Sequence, residues 1–160
     1  MSSQGFGVNP GKTYTTTDLP LPVGVGSVGK TPDGTWMFVQ ADGAIDQYAA
    51  VKLSDDGQAA MLTTTNAGSN NLQVGIAQVA AANDEYLWVF VGGVGGGGVG
   101  SGIKVKAAAS YAADANLQTT ATAGVVDDAS TTLIKNVVGL TTLTGAGTVE
   151  VKTTGYMSVN

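Results

Sequence analysis

From Thr148 to Gly155 the chain alternates, with Val149 and Val151 set between Glu150, Lys152 and Thr154. A period of two predicts a strand with its valines inward and its polar residues in water. The stretch Tyr86-Leu87-Trp88-Val89-Phe90-Val91 is apolar at every position, so both of its faces need cover. Thr35–Ala41 is rich in β-branched and aromatic residues and follows the turn signal Pro32-Asp33-Gly34, so it too reads as a strand. From Gly34 onward short strands recur with turn signals between them, the pattern of a sandwich or small barrel. One exception is Ala107–Ala115, which reads as a short helix.

An internal repeat organises these strands. Val74-Gly75-Ile76-Ala77 followed by Tyr86–Gly92 is echoed by Val138-Gly139-Leu140-Thr141 followed by Val149–Gly155. Upstream, Val51-Lys52 and Leu62–Gly68 match Val105-Lys106 and Leu117–Gly124. The copies cover about 44–93 and 101–156, and the economical picture is a mainly β fold, one small barrel over 25–160 closed by two related halves. Aligning Gly92 with Gly155 puts Tyr86 and Trp88 at the inward valines and leaves Leu87, Val89 and Val91 outward. That face is apolar where its twin is solvated. It is covered either by the chain's own N-terminal arm or glycine-rich loop, or by a neighbouring subunit, which makes Leu87, Val89 and Val91 candidate interface residues.

Residues 1–24 hold three of the four prolines and no sustained apolar period. They read as an extended arm, dispensable for folding of the barrel, with Phe6 and Tyr14 as its anchors if it docks.

Two motifs raise the question of nucleotide binding. GVGSVGKT, Gly24 to Thr31, spells the phosphate-cradling pattern G-x-x-x-x-G-K-T, but that chemistry needs a strand before it and a helix after it. Prolines 20 and 22 precede it and a strand follows, so it reads as a connection into the first strand with Lys30 exposed. The run Gly92–Gly100 contains G-x-G-x-x-G, yet an alternating Ile103-Lys104-Val105-Lys106 stands where a helix is required, and a flexible hairpin connection is the better reading. The acidic pairs Asp55-Asp56, Asp84-Glu85 and Asp127-Asp128 read as turn chemistry, because adjacent residues on an extended chain point apart.

Composition narrows the chemistry further. The chain has 160 residues, 43% apolar and 12% charged, with a net charge of −5 and neither cysteine nor histidine. Thiolate and imidazole catalysis and the usual zinc sites are thereby excluded, and no cofactor or metal is implied. All seven positive charges are scattered lysines, which argues against nucleic acid. No stretch nears the roughly 20 apolar residues of a membrane helix. A soluble protein made without a secretory signal is expected.

The phrases AAVKLSDDG, from Ala49, and LQVGIAQVAAANDEYLWVFVGG, from Leu72, resemble the head decoration, or capsid cement, proteins of tailed phages. The resemblance covers about residues 44–156, and the glycine-rich run 92–100 departs from it. It implies a β-barrel or β-tulip module without catalytic activity, often a homotrimer, made in the host cytoplasm and bound to the major capsid protein on the outside of the virion. Phe6 and Tyr14 would then be capsid-contacting residues of the arm. The alternative is another β-structural or adhesive module, such as a tail or carbohydrate-binding domain; a nucleotide-binding enzyme is the third reading.

Overall fold

The computed structural model describes residues 7–68, 72–130 and 132–159. Its regular elements are all strands: β1 (Thr13–Tyr14), β2 (Val28–Thr31), β3 (Gly34–Ala41), β4 (Ala50–Leu53), β5 (Gln58–Met61), β6 (Val74–Ala77), β7 (Tyr86–Gly97), β8 (Lys104–Ala107), β9 (Asn116–Thr119), β10 (Val126–Asp127), β11 (Leu133–Gly139) and β12 (Gly147–Val159). The helix expected over Ala107–Ala115 does not form. Ala107 ends β8, and turns follow in which Ser110 and Asp114 take φ values of 68° and 61°.

The pairings close two rings. In the first, β3 lies antiparallel to β7, β7 to β6, β6 to β4 and β4 to β5, and β5 returns to β3 in parallel. In the second, β8 lies antiparallel to β12, β12 to β11, β11 to β9 and β9 to β10, and β10 returns to β8 in parallel. Strand for strand the topology is the same, down to the single parallel closure. The mainly β, barrel-like architecture built from two related halves is therefore present, but each half closes on itself instead of sharing one wall. Closure removes the free edges that a half-barrel would expose.

Local details repeat as well. Ile45 bridges Ala81 in the first half, and the Leu143 N–H bonds the Tyr111 carbonyl at 2.8 Å in the second. Tyr48 and Asp114, each three residues beyond those positions, both have positive φ, 63° and 61°.

The ladder registers then fix which residues correspond. Ala41 faces Ala59 across the parallel closure of the first ring, and Ala107 faces Val126 across that of the second. Two residues earlier, Val39 pairs Leu87 and Val105 pairs Val149. Leu87 therefore matches Val149, Trp88 matches Glu150, Val89 matches Val151 and Phe90 matches Lys152. Aligning Gly92 with Gly155 is wrong by one residue, and in a strand that exchanges the two faces. Matching Val51-Lys52 to Val105-Lys106 is also wrong, since the first pair lies in β4 and the second in β8, the counterpart of β3, and so is matching Leu62–Gly68 to Leu117–Gly124, since the first follows β5 and the second begins in β9, the counterpart of β4.

Leu87, Val89 and Val91 thus face into the first barrel. They are fully buried with Val39, Val51, Leu53, Ala59 and Ala77, a core drawn from all five strands of that ring. The second barrel is filled by Val105, Leu117, Val126, Ile134, Val149 and Val151. The buried interior of the first barrel holds only aliphatic and alanine side chains, and Trp36, Phe38, Trp88 and Phe90 lie on its outer wall.

The barrels are fused along a seam. β7 runs past its own ring and pairs with β12, Gly92 opposite Tyr156 and Gly97 opposite Lys152. Glycine is required there: Gly97 has φ +66°, and a Cβ on it would strike the Val151 carbonyl. The glycine-rich run, expected as a hairpin connection, is mostly strand. Side chains add to the junction, where the Gln78 amide donates to the Lys104 carbonyl at 2.9 Å and accepts its N–H at 3.1 Å.

Candidate functional site

Two places outside the barrel interiors are unusual, and the first is the buried wall of Trp36, Phe38, Trp88 and Phe90. The N-terminal arm covers part of it. β1 pairs with the start of β7, Thr13 opposite Leu87 and Tyr14 opposite Tyr86. The Tyr14 ring stands edge-on to Phe38 at 5.6 Å, and Val8 seats against Gly29, where a Cβ would collide with it and which itself lies on the Trp88 indole. Val8 is 1% exposed and Tyr14 9%. Tyr14 is therefore packed into the core, and this packing counts against an arm that is dispensable for folding. Phe6, its expected companion, lies outside the described residues.

The fit of the arm is imperfect in one respect. The Trp36 indole N–H donates to the Thr31 hydroxyl at 2.9 Å, whereas the buried Trp88 N–H has no partner among the described residues. A buried donor without an acceptor costs about 1–3 kcal/mol.

The second place is a groove at the end of the seam. GVGSVGKT ends as strand: its last four residues are β2, paired to β3 across the Pro32-Asp33 turn, with Lys30 exposed opposite Thr35. No helix N-terminus faces them, so the backbone needed to cradle phosphate is not assembled. Instead Lys30, Pro32 and Thr35 form one side of an open cavity of about 440 Å³, with Val94, Gly95 and Tyr156 on the other. Val94 is 93% exposed and Tyr156 53%, on adjacent paired strands. Single exposed apolar side chains are ordinary, but these two line one groove together, and contiguous apolar patches mark contact surfaces.

Charge distinguishes this end of the first barrel from the other. Lys30 and Lys152 stand where β3 begins and β7 ends. At the far end, where the Asp84 N–H bonds the Ala41 carbonyl at 2.9 Å, lie Asp42, Asp84 and Glu85. No three Asp or Glu side chains converge on a metal-sized site among the described residues. The acidic turns are self-satisfied: Asp56 accepts the Ser54 hydroxyl at 2.7 Å, which holds its carboxyl below the usual range. Asp18 does the same in the arm, lowered first by the Thr15 N–H and then by the Thr15 hydroxyl.

Of the residues singled out from sequence, Leu87, Val89 and Val91 are inside, Tyr14 is packed against the wall, and Lys30 lines the open groove together with Gly95 of the glycine-rich run. Val94 and Tyr156 were missed. Their signal is present, a valine isolated among glycines and a tyrosine just past the alternating run, but neither has a period to mark it. No family model, curated protein or solved structure matches the chain.

Proposed function

We propose that this chain is a structural attachment protein, a decoration protein that binds the outside of a tailed-phage capsid through the groove end of its first barrel. The observation that carries the reading is the exposure of Val94 and Tyr156 beside Lys30 on a frame of paired strands. Both barrel interiors are filled with side chains, which leaves recognition to the outer surface. A rigid frame presents such residues without an ordering cost on binding. The partner is the major capsid protein, and assembly as a homotrimer belongs to the same proposal.

The test is co-sedimentation with undecorated, expanded heads of the phage that encodes the chain. The unaltered protein is expected to bind and to raise the temperature at which heads release DNA. The double variant Val94→Asp, Tyr156→Asp should fold with the same thermal midpoint within a few degrees and lose binding at least tenfold. Binding unchanged by that variant refutes the groove as the contact. No binding by the unaltered protein refutes the decoration reading.

A second reading is favoured by Tyr156, an exposed aromatic over a partly polar groove, the arrangement of a carbohydrate module. Saturable binding to glycans that Tyr156→Ala abolishes would establish it in place of the first.

A further inference from the structure

The arm has more reach than its position requires. Tyr14 sits beside Tyr86 of β7, and Val28 pairs Met37, which in turn pairs Val89. Tyr14 and Val28 are therefore three strand spacings apart across the sheet and three residues apart along it. At about 4.8 Å per strand and 3.3 Å per residue the gap is roughly 17 Å. The thirteen residues Thr15–Ser27 that bridge it can span about 40 Å when extended.

Apart from Val25, whose side chain lies against Gly57, the connector is loosely held. Asp18 bonds Thr15 and Ser27 bonds Gly24 within it, and only Gly26 and Ser27, at its end, bond the barrel through Phe38. Leu19 is 72% exposed. Leu21 and Val23 touch the core without being buried by it.

We infer that the arm is exchanged between copies, so that Val8 and Tyr14 of one copy cover the Trp88 and Phe38 wall of another. The contacts made are the same in either arrangement, so exchange costs only the association entropy, and surplus connector length sets the range over which a second wall is reachable. The second barrel needs no such cover because Glu150 and Lys152 occupy the places of Trp88 and Phe90. Each copy therefore offers one arm and one acceptor wall, the condition for a closed ring of copies. This inference stands on the arm and wall alone and is independent of what the groove binds.

The chain contains no cysteine, so a pair can be introduced cleanly. Val8→Cys and Gly29→Cys are made as separate proteins, mixed, unfolded, refolded together and oxidised. Exchange is expected to give a disulfide-linked species of about twice 15.9 kDa on a non-reducing denaturing gel. Absence of that species from folded protein overturns the inference. A second measurement uses unaltered protein, half of it isotope-labelled in its aromatic rings and refolded with the unlabelled half. Exchange predicts a nuclear Overhauser contact between Tyr14 of one copy and Phe38 of the other. Contacts confined to a single copy, or a protein that sediments as a monomer at all concentrations, overturn it equally.

Discussion

The two barrels share one topology and differ in what lies outside them. At the places where the second presents Glu150 and Lys152 to water, the first carries Trp88 and Phe90, and it is this wall that the arm and β2 close. A duplicated fold has thus kept a mostly aliphatic interior in both copies, with Tyr111 and Thr153 as the exceptions in the second, while its outer wall became solvated in one and an acceptor for more chain in the other. Interiors are constrained by volume, and outer walls only by what covers them.

The comparison can be broken most forcefully from within. Val89→Lys places a charge in the interior of the first barrel and is expected to cost at least about 4 kcal/mol, enough to unfold that half. Denaturant titration followed by tryptophan emission reads it directly, since Trp36 and Trp88 both sit on the same wall. A folded Val89→Lys protein would refute the interior assignment. In the other barrel, Lys152→Val on the solvated wall should shift stability by no more than about 0.5 kcal/mol.

A smaller effect is expected from the cover. Tyr14→Ala removes the ring against Phe38 and should destabilise by about 2–4 kcal/mol, with a red shift in Trp88 emission as water reaches the indole. An unshifted spectrum would mean that the arm does not shield the wall.

A pH-dependent effect sharpens the interior of the second barrel. Tyr111 occupies the place of Ile45 and is fully buried, its hydroxyl donating to the Ala115 carbonyl at 2.5 Å and accepting the Gly139 N–H at 3.0 Å. Burial pushes its pKa up to about 12. Because the folded state holds this proton more tightly than the unfolded one, the contribution is complete below pH about 10 and lost as pH rises towards 12. Stability should fall over that window by roughly 2 kcal/mol at most, and Tyr111→Phe should abolish that fall while costing about 1–2 kcal/mol at neutral pH.

Part of the architecture was legible in the chain. The alternation at Val149–Thr154 gave the right face, and a duplication was visible before any pairing was known, but two of its matches, Val51-Lys52 with Val105-Lys106 and Leu62–Gly68 with Leu117–Gly124, fall on strands that do not correspond. What failed was the register, because Gly92 and Gly155 look alike in sequence and are not equivalent: Gly155 lies across the ladder from Gly93, and Gly92 pairs Tyr156. One residue of slip moved Leu87, Val89 and Val91 from the interior to a supposed interface. An all-apolar strand carries no periodicity to correct such a slip. The arm was legible as extended and proline-rich, but Val8 and Tyr14 lack the repetition that would mark them as core. The groove was the least legible part, since it is assembled by a seam between segments about 60 residues apart.

That seam has a consequence for synthesis. The chain leaves the ribosome from its N-terminus, so an arm is available before the wall of the first barrel is complete, and that wall can be shielded as soon as the barrel closes. The outlying part of β7 has no such provision, because its partners Lys152–Tyr156 in β12 are made about 60 residues later, roughly 3–12 seconds at 5–20 residues per second. An apolar strand left unpaired for that time would recruit neighbouring nascent chains. Here the waiting segment is Gly92-Gly93-Val94-Gly95-Gly96-Gly97, with a single apolar side chain. The glycines that allow the two barrels to approach also keep the unfinished edge from sticking to anything else.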